Sequence, residues 1–173
     1  MIVVLLDNGA GKLKAGVCRG TSSTDEIAMN RISHSNCTSR VLKQMNTLVG
    51  DQVDSTFNGS LLQYTRPFDR GYLVNWQSEQ EVWSRLFGAS GLNVPPSESS
   101  LCLTEAPFAP EALQNDTNEV VFEEYSFQRC LRKPAAWFSA YEFSRHAPEG
   151  EDTLKRRTLF QPHHREQDYA LRI

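Results

Sequence analysis

Ile2-Val3-Val4-Leu5-Leu6 runs directly into Asp7-Asn8-Gly9, and a second apolar stretch, Lys14-Ala15-Gly16-Val17-Cys18, follows a few residues later. A short continuous apolar run bounded by turn residues reads as a buried strand. Asn-Gly between two such runs signals a hairpin, because both residues tolerate positive φ. The chain is therefore predicted to open with a strand at residues 2–6 and a returning strand at 14–18. The apolar run is far short of the ~20 residues that span a bilayer. It is also too short for a signal-peptide core and has no basic segment before it.

Residues 19–40 are polar and rich in Ser and Thr, with Ile27, Met29 and Ile32 as anchors, and are predicted as mostly loop with one short strand at most. Residues 41–53 alternate weakly, Asn58-Gly59 marks another turn, Leu61-Leu62-Gln63-Tyr64 reads as a short strand, and residues 67–74 lead into a helix. That helix, 76–87, carries the clearest pattern. Asn75 stands at the N-cap, Glu79 and Glu81 lie toward the positive end, and Gly88 ends it. Trp76, Val82, Trp83, Leu86 and Phe87 fall on one stripe at helical spacing. A loop at 93–100 with Pro95-Pro96 precedes a buried strand at 101–104, closed by Glu105-Ala106-Pro107. A second helix is predicted over 111–125 with Leu113, Val120, Val121 and Phe122 on its apolar side, then a strand over 127–132. Pro134 suits the first turn of a third helix reaching residue 145, with Ala135, Phe138 and Tyr141 inward. Beyond His146 no periodic apolar pattern remains and acidic and basic residues mix, so residues 147–173 are predicted as a poorly ordered tail after a domain at 1–146.

At 173 residues the chain has room for one domain or one and a half. With 18 Lys and Arg against 21 Asp and Glu, the net charge of −3 gives no global pull on nucleic acid or anionic lipid. Cys18, Cys37, Cys102 and Cys130 include no C-x-x-C pair, and none of His34, His146, His163 and His164 sits beside a Cys. A zinc site normally shows one close ligand pair, so free thiols are expected. The sequons at Asn36, Asn58 and Asn115 lack a secretory signal and count as chance matches. The expected compartment is reducing, cytosol or nucleus.

One stretch has the composition of a ligand loop: Asp7-Asn8-Gly9-Ala10-Gly11-Lys12-Leu13-Lys14. Gly9 and Gly11 carry no side chain, so backbone N–H groups there could approach a phosphate. Lys14 could supply a point charge, and Asp7 could hold metal-bound water through a carboxylate oxygen. A tight hairpin accounts for the same glycines without any ligand. Neither the G-x-x-x-x-G-K-[ST] loop nor a G-x-G-x-x-G helix start is present, and no G-x-S-x-G or H-E-x-x-H occurs. Glu123-Glu124, adjacent on a helix, read as a solvated face, His163-His164 as an exposed dipeptide, and Lys155-Arg156-Arg157 as a weak import-like patch.

The order of these segments carries a resemblance. Asp7–Gly16 (DNGAGKLKAG), then Gly71-Tyr72-Leu73-Val74-Asn75-Trp76, then Leu103-Thr104-Glu105-Ala106-Pro107, resembles the N-terminal part of the actin family over residues 2 to about 145. Pro67-Phe68-Asp69-Arg70 before the helix, Leu86-Phe87-Gly88 at its end and Phe122-Glu123-Glu124-Tyr125-Ser126-Phe127-Gln128 are similar to the nuclear actin-related branch. The resemblance implies an α/β, ribonuclease-H-like fold, incomplete here, with the first hairpin as a vestigial phosphate loop made by Asp7, Gly9, Ala10, Gly11 and Lys14. It further implies a non-catalytic scaffold subunit of a Swr/SRCAP-type chromatin-remodelling complex that exchanges a variant histone. Such a subunit would contact a remodeller ATPase and a zinc-finger HIT-type subunit, would meet the nucleosome only through the complex, and would reside in the nucleus and also the cytoplasm. No membrane or direct nucleic-acid partner is implied.

The chain also departs from the family pattern. After residue 145 the family continues into a second D-x-G hairpin, whereas Arg145-His146-Ala147-Pro148 follows here, so the sequence reads as a truncated or partial form. Ala10 stands where actins carry serine, and Ala135 where they carry a glutamine that orients the attacking water. Losing such a group removes a rate contribution of roughly 10²–10⁴. An absent opposing hairpin removes hydrogen bonds to phosphate worth about 1.5–3 kcal/mol each. No cofactor is expected, with ATP and Mg reserved for a longer form. Apolar faces on the helices at 76–87 and 134–145 are expected to be under-covered, a mark of binding surfaces.

Overall fold

The computed structural model of the chain describes residues 1–20, 30–41, 47–56, 62–146 and 169–171. The elements are β1 (Ile2–Asn8), β2 (Lys12–Arg19), β3 (Asn30–Ser35), β4 (Thr38–Val41), β5 (Thr47–Val49), α1 (Asp51–Asp54), β6 (Leu62–Thr65), β7 (Phe68–Asp69), β8 (Tyr72–Leu73), α2 (Trp76–Phe87), β9 (Ser99–Glu105), α3 (Glu111–Glu119), β10 (Arg129–Pro134), α4 (Ala135–His146) and β11 (Tyr169–Leu171). Ile27, Met29, the Asn58-Gly59 turn, Leu61, Lys155-Arg156-Arg157 and His163-His164 lie outside the described residues.

β1 is hydrogen-bonded on both sides, antiparallel to β2 with Leu6 opposite Ala15, and parallel to β9 with Leu6 opposite Leu103. β10 continues the sheet parallel to β9, giving the order β11-β10-β9-β1-β2-β3. The parallel pairs require crossovers, supplied by segments that contain α2 and α3, so the α/β expectation holds. Side-chain alternation then sorts the residues. Val4, Leu6, Leu13, Ala15, Val17, Leu101, Leu103 and Cys130 are buried on one face, while Val3, Leu5, Cys18 and Cys102 on the other are half-buried. β4, β5 and β6 form a separate antiparallel sheet in the order β5-β4-β6.

α2 has the boundaries expected, and the Asn75 side chain accepts from Ser78 N at 3.1 Å. Its apolar stripe closes the core. Val82 and Trp83 are fully buried, and the Trp83 ring packs against Trp76, Phe87 and Tyr125 at centroid separations of 5.4, 5.8 and 5.6 Å. This face is covered, contrary to the expectation of an exposed one.

Several boundaries differ for physical reasons. The stretch expected as mostly loop with one short strand holds two, β3 and β4, because β2 and β6 offer free edges that override weak local propensity. The connector at 67–74 folds into the β7–β8 hairpin, with Arg70 and Gly71 both at positive φ. The second helix stops as an α-helix at Glu119 and widens into a π turn over Val120–Glu124, with Tyr125 N donating to Val120 O. Val120, Val121 and Phe122 are consecutive and all buried, and a regular α-helix would turn one of them toward solvent. The strand expected at 127–132 runs from Arg129 to Pro134, and Pro134 closes it before α4. On α4, Ala135 is exposed yet lines the hollow over the sheet with Phe138, whereas Tyr141 points outward rather than inward. Tyr141 is 47% exposed and stacks on Trp137 at 5.7 Å, an i,i+4 pair on the outer face, and only Phe138 is half-buried. Within the tail expected to be irregular, Tyr169–Leu171 add an antiparallel edge strand to β10.

All four cysteines are free, Cys37 and Cys130 buried and Cys18 and Cys102 half-buried. No described helix is long and apolar enough to cross a membrane. Truncating Trp83 to Ala empties the centre of the aromatic cluster and is expected to cost about 3–5 kcal/mol in urea unfolding.

Candidate functional site

The C-terminal ends of β1 and β9 open side by side, a position where α/β sheets commonly bind ligands. A cleft of about 250 Å³ lies there, its floor formed by Asp7, Asn8, Gly9 and Ala10, and its walls by Thr104 to Ala106, the β7–β8 hairpin, and Leu113 and Thr117 of α3. Ala135, first residue of α4, closes one side.

Asp7, Gly9 and Ala10 come together as the sequence suggested, but Gly11 and Lys14 do not join them at the cleft. Lys14 sits opposite Asp7 across the β1–β2 ladder, and its ammonium binds Asp7 Oδ2 at 2.8 Å, which raises the Lys14 pKa. It lines a different hollow, with Leu5, Gly16 and Arg31 on the half-buried sheet face. The other Asp7 oxygen accepts from the Thr104 hydroxyl at 3.0 Å, and the Asn8 N–H donates to the same hydroxyl at 2.9 Å. Asp7 is thus held at both oxygens by protein groups.

The turn itself corrects the sequence reading. Neither Asn8 nor Gly9 adopts positive φ, and Asn8 remains in β1 opposite Leu13. The loop is four residues long, Gly9 to Lys12, so the two-residue Asn-Gly turn does not form. Glycine is required at position 9 for another reason: a Cβ there would lie 2.6 Å from Lys12 O. At Gly11 a Cβ would meet nothing closer than Arg66 Nη1 at 4.0 Å. Arg66 Nη1 also donates to Ala10 O at 3.3 Å, which fastens the tip from outside.

Behind the turn lies a polar group that the sequence did not signal. Asn36, buried in the β3–β4 connection, donates its backbone N–H to Gly11 O at 3.1 Å and its side-chain amide to Gly9 O at 3.2 Å. Glu79 of α2 is fully buried beside it, with Oε1 at 3.4 Å from Asn36 Nδ2. Burial pushes Glu79 up to about 7, a shift that its polar neighbours Asn8, Asn36 and Trp83 only partly offset. In sequence Glu79 looked like a first-turn acid favoured by the helix dipole. The stripe positions Val82 and Trp83 just beyond it carry the one signal of its burial, since an i+3/i+4 neighbour of core residues shares their face. Thr104 had a signal as well, within Leu103-Thr104-Glu105-Ala106-Pro107, but its reach to Asp7 depends on the parallel register.

A nucleotide triphosphate does not fit this donor set. The cleft lining includes no Lys or Arg, and its two carboxylates, Asp7 and Glu105, are each paired with a cation outside it, Lys14 and Arg132, so the lining presents no net positive potential to a polyanion. Ala135 adds only a methyl group to the cleft lining. The volume is below the roughly 300–1,000 Å³ of typical small-molecule sites. Among the described residues no group of three His, Cys, Asp or Glu side chains could hold a metal ion.

Two outcomes follow from this geometry. Gly9→Ala is expected to destabilise the chain by about 1–3 kcal/mol through overpacking against backbone, and Gly11→Ala to stay within about 0.5 kcal/mol, both read by chemical denaturation. The folded state keeps the Glu79 proton where the unfolded chain, at 4.5, has released it. Stability is therefore greatest below pH ~4.5 as far as this group is concerned, and falls as pH rises to about 7, by about 3 kcal/mol. Melts across that range should show the fall in the native chain and not in Glu79→Gln.

Comparison with known proteins agrees with this architecture. The actin family profile matches residues 1–148. The chain is 38% identical over 135 residues to the actin-like protein ARP6 of Cryptococcus neoformans, covering 78% of this chain and 26% of that protein. It is 40% identical over 147 residues to actin-related protein 6 of rice, covering 83% and 32%, and 30% identical over 141 residues to actin-related protein 6 of Drosophila melanogaster, covering 82% and 34%. The chain spans about a quarter to a third of the length of these curated relatives. With the strand order, the hairpin and the Trp-rich helix in place, the chain belongs to the actin family.

Proposed function

We propose that the chain acts as a non-catalytic, actin-related scaffold part of a Swr/SRCAP-type chromatin-remodelling complex that exchanges a variant histone. It would dock to the remodeller ATPase and to a zinc-finger HIT-type subunit, in the nucleus with a cytoplasmic pool, and would meet the nucleosome only through the complex. Similarity to proteins named actin-related protein 6 in fungi, plants and an insect supports the assignment to this branch. The observation that carries the non-catalytic part is the state of Asp7. Its two oxygens are taken by Lys14 and Thr104, and the nearest helix start offers Ala135 instead of a polar side chain. A docking role also suits α4, whose outer face carries the stacked Trp137–Tyr141 pair, since large aromatic side chains dominate interface energetics.

A second reading, part of an actin-like protein that binds and hydrolyses ATP with Mg, draws on the placement of Asp7 and Gly9 at the cleft floor. The two are separable. Purified chain with MgATP is expected to release no phosphate above buffer, and turnover abolished by Asp7→Ala would favour the second reading. Tagged chain expressed in cells is expected to co-purify the remodeller ATPase and the HIT-type subunit from nuclear extract. Recovery of neither would overturn the scaffold role.

A further inference from the structure

Asn36 ties the first turn to the helix behind it with too few hydrogens for the acceptors it faces. Its side-chain amide lies 3.2 Å from Asn8 Oδ1, 3.2 Å from Gly9 O and 3.4 Å from Glu79 Oε1. An amide NH₂ has two hydrogens, so Asn36 can serve only two of these three acceptors at once. Glu79 is the only one of the three whose charge can change. Its Oε2 and the buried Asn36 Oδ1 make no hydrogen bond of ordinary length, while the side chains of Asn8 and Trp83 lie close enough to the Glu79 carboxyl to favour its charged form alongside Asn36.

We propose that Glu79 is a proton-operated latch on the Gly9–Lys12 turn: the neutral acid leaves both Asn36 amide hydrogens on Asn8 Oδ1 and Gly9 O, and the ionised acid takes one of them and frees that side of the turn. The direction follows from strength, because a hydrogen bond to an ionised acceptor is roughly twice as strong as one between neutral groups. The neutral acid also carries an O–H, the kind of donor that buried Asn36 Oδ1 lacks. Burial sets the switching point near neutrality, at about 7. Burial, with the Glu79 charge adding to it, pushes Tyr125 beside the π turn up to about 12, so it stays neutral across the switching range. The other charged groups on the surrounding elements are engaged elsewhere: Asp7 with Lys14, Arg66 with Ala10 O, Asp54 with Ser35, and Arg85 with Asp51 at 2.7 Å. Glu81, on α2 itself, is exposed. His34 of β3 bonds to Ser35 O and packs under Gly50. The latch does not depend on the scaffold role, since it concerns the turn whether or not anything binds there.

The test is an NMR titration of the full isotope-labelled chain from pH 5.5 to 8.5. The Glu79 Cδ signal is expected to move with a midpoint near 7, and the Asn36 side-chain amide and the Gly9 and Gly11 backbone amides to shift with the same midpoint. In Glu79→Gln, which keeps the shape and removes the charge, those amides are expected to stay flat. A Glu79 midpoint near 4.5, turn amides that stay still while Glu79 titrates, or a turn response that persists in Glu79→Gln would each overturn the latch. Should Glu79→Gln fail to fold, the correlation between Glu79 Cδ and the turn amides in the native chain decides, with the His34 ring nitrogens recorded in the same sample as the competing source.

Discussion

The double hydrogen-bonding of β1 is the constraint on which the remaining architecture rests. One strand serves as the antiparallel partner of β2 and the parallel partner of β9, so its side-chain alternation fixes which residues of three strands share the core face. A slip of one residue would carry Val4 and Leu6 out of contact with the aromatic cluster on α2 and expose them. The same register brings the ends of β1 and β9 level, which is why Asp7 meets Thr104 across 97 positions of sequence. The cleft is a consequence of sheet pairing.

The ends of these strands could have formed a phosphate cradle, and the electrostatics of this chain point another way. A cradle needs unpaired donors and net positive potential. Here the one cation on the hairpin near Asp7 is neutralised by it, the carbonyls of the turn are held by Asn36 and Arg66, and the cleft wall contributes Glu105, itself paired to Arg132 at 3.0 Å.

Some of this was readable in the residues and some was not. α2 was legible because N-cap, apolar stripe and terminating glycine all agree, and local agreement of that kind survives any tertiary context. The π turn after α3 was not, because three adjacent apolar residues fit an amphipathic pattern only loosely, and what widens the turn is the need to bury all three. α4 was read with Tyr141 inward for the opposite reason: an aromatic residue looks like core, but over the sheet the described side chains of this helix that line the hollow are Ala135, Phe138 and Ser139. Lys14 was assigned by type to a phosphate and by register to Asp7. A charge seven residues away in sequence is directly opposite in a hairpin, and pairing distance outweighs composition.

By itself, then, the sequence determined the local elements with strong internal agreement, the hairpin, the capped helix and the strand ending in Thr104-Glu105-Ala106-Pro107, because these depend on neighbours within a few residues. The tertiary structure alone decided that Asp7 is pinned by Lys14 and Thr104, that Asn36 braces the turn, and that Glu79 is buried without a counter-charge. Apart from the Asp7–Lys14 pair, those contacts join residues far apart in sequence, up to 97 positions, and are set by strand register and helix packing. Such contacts determine whether an acid or a base is free to act, and no local pattern encodes them.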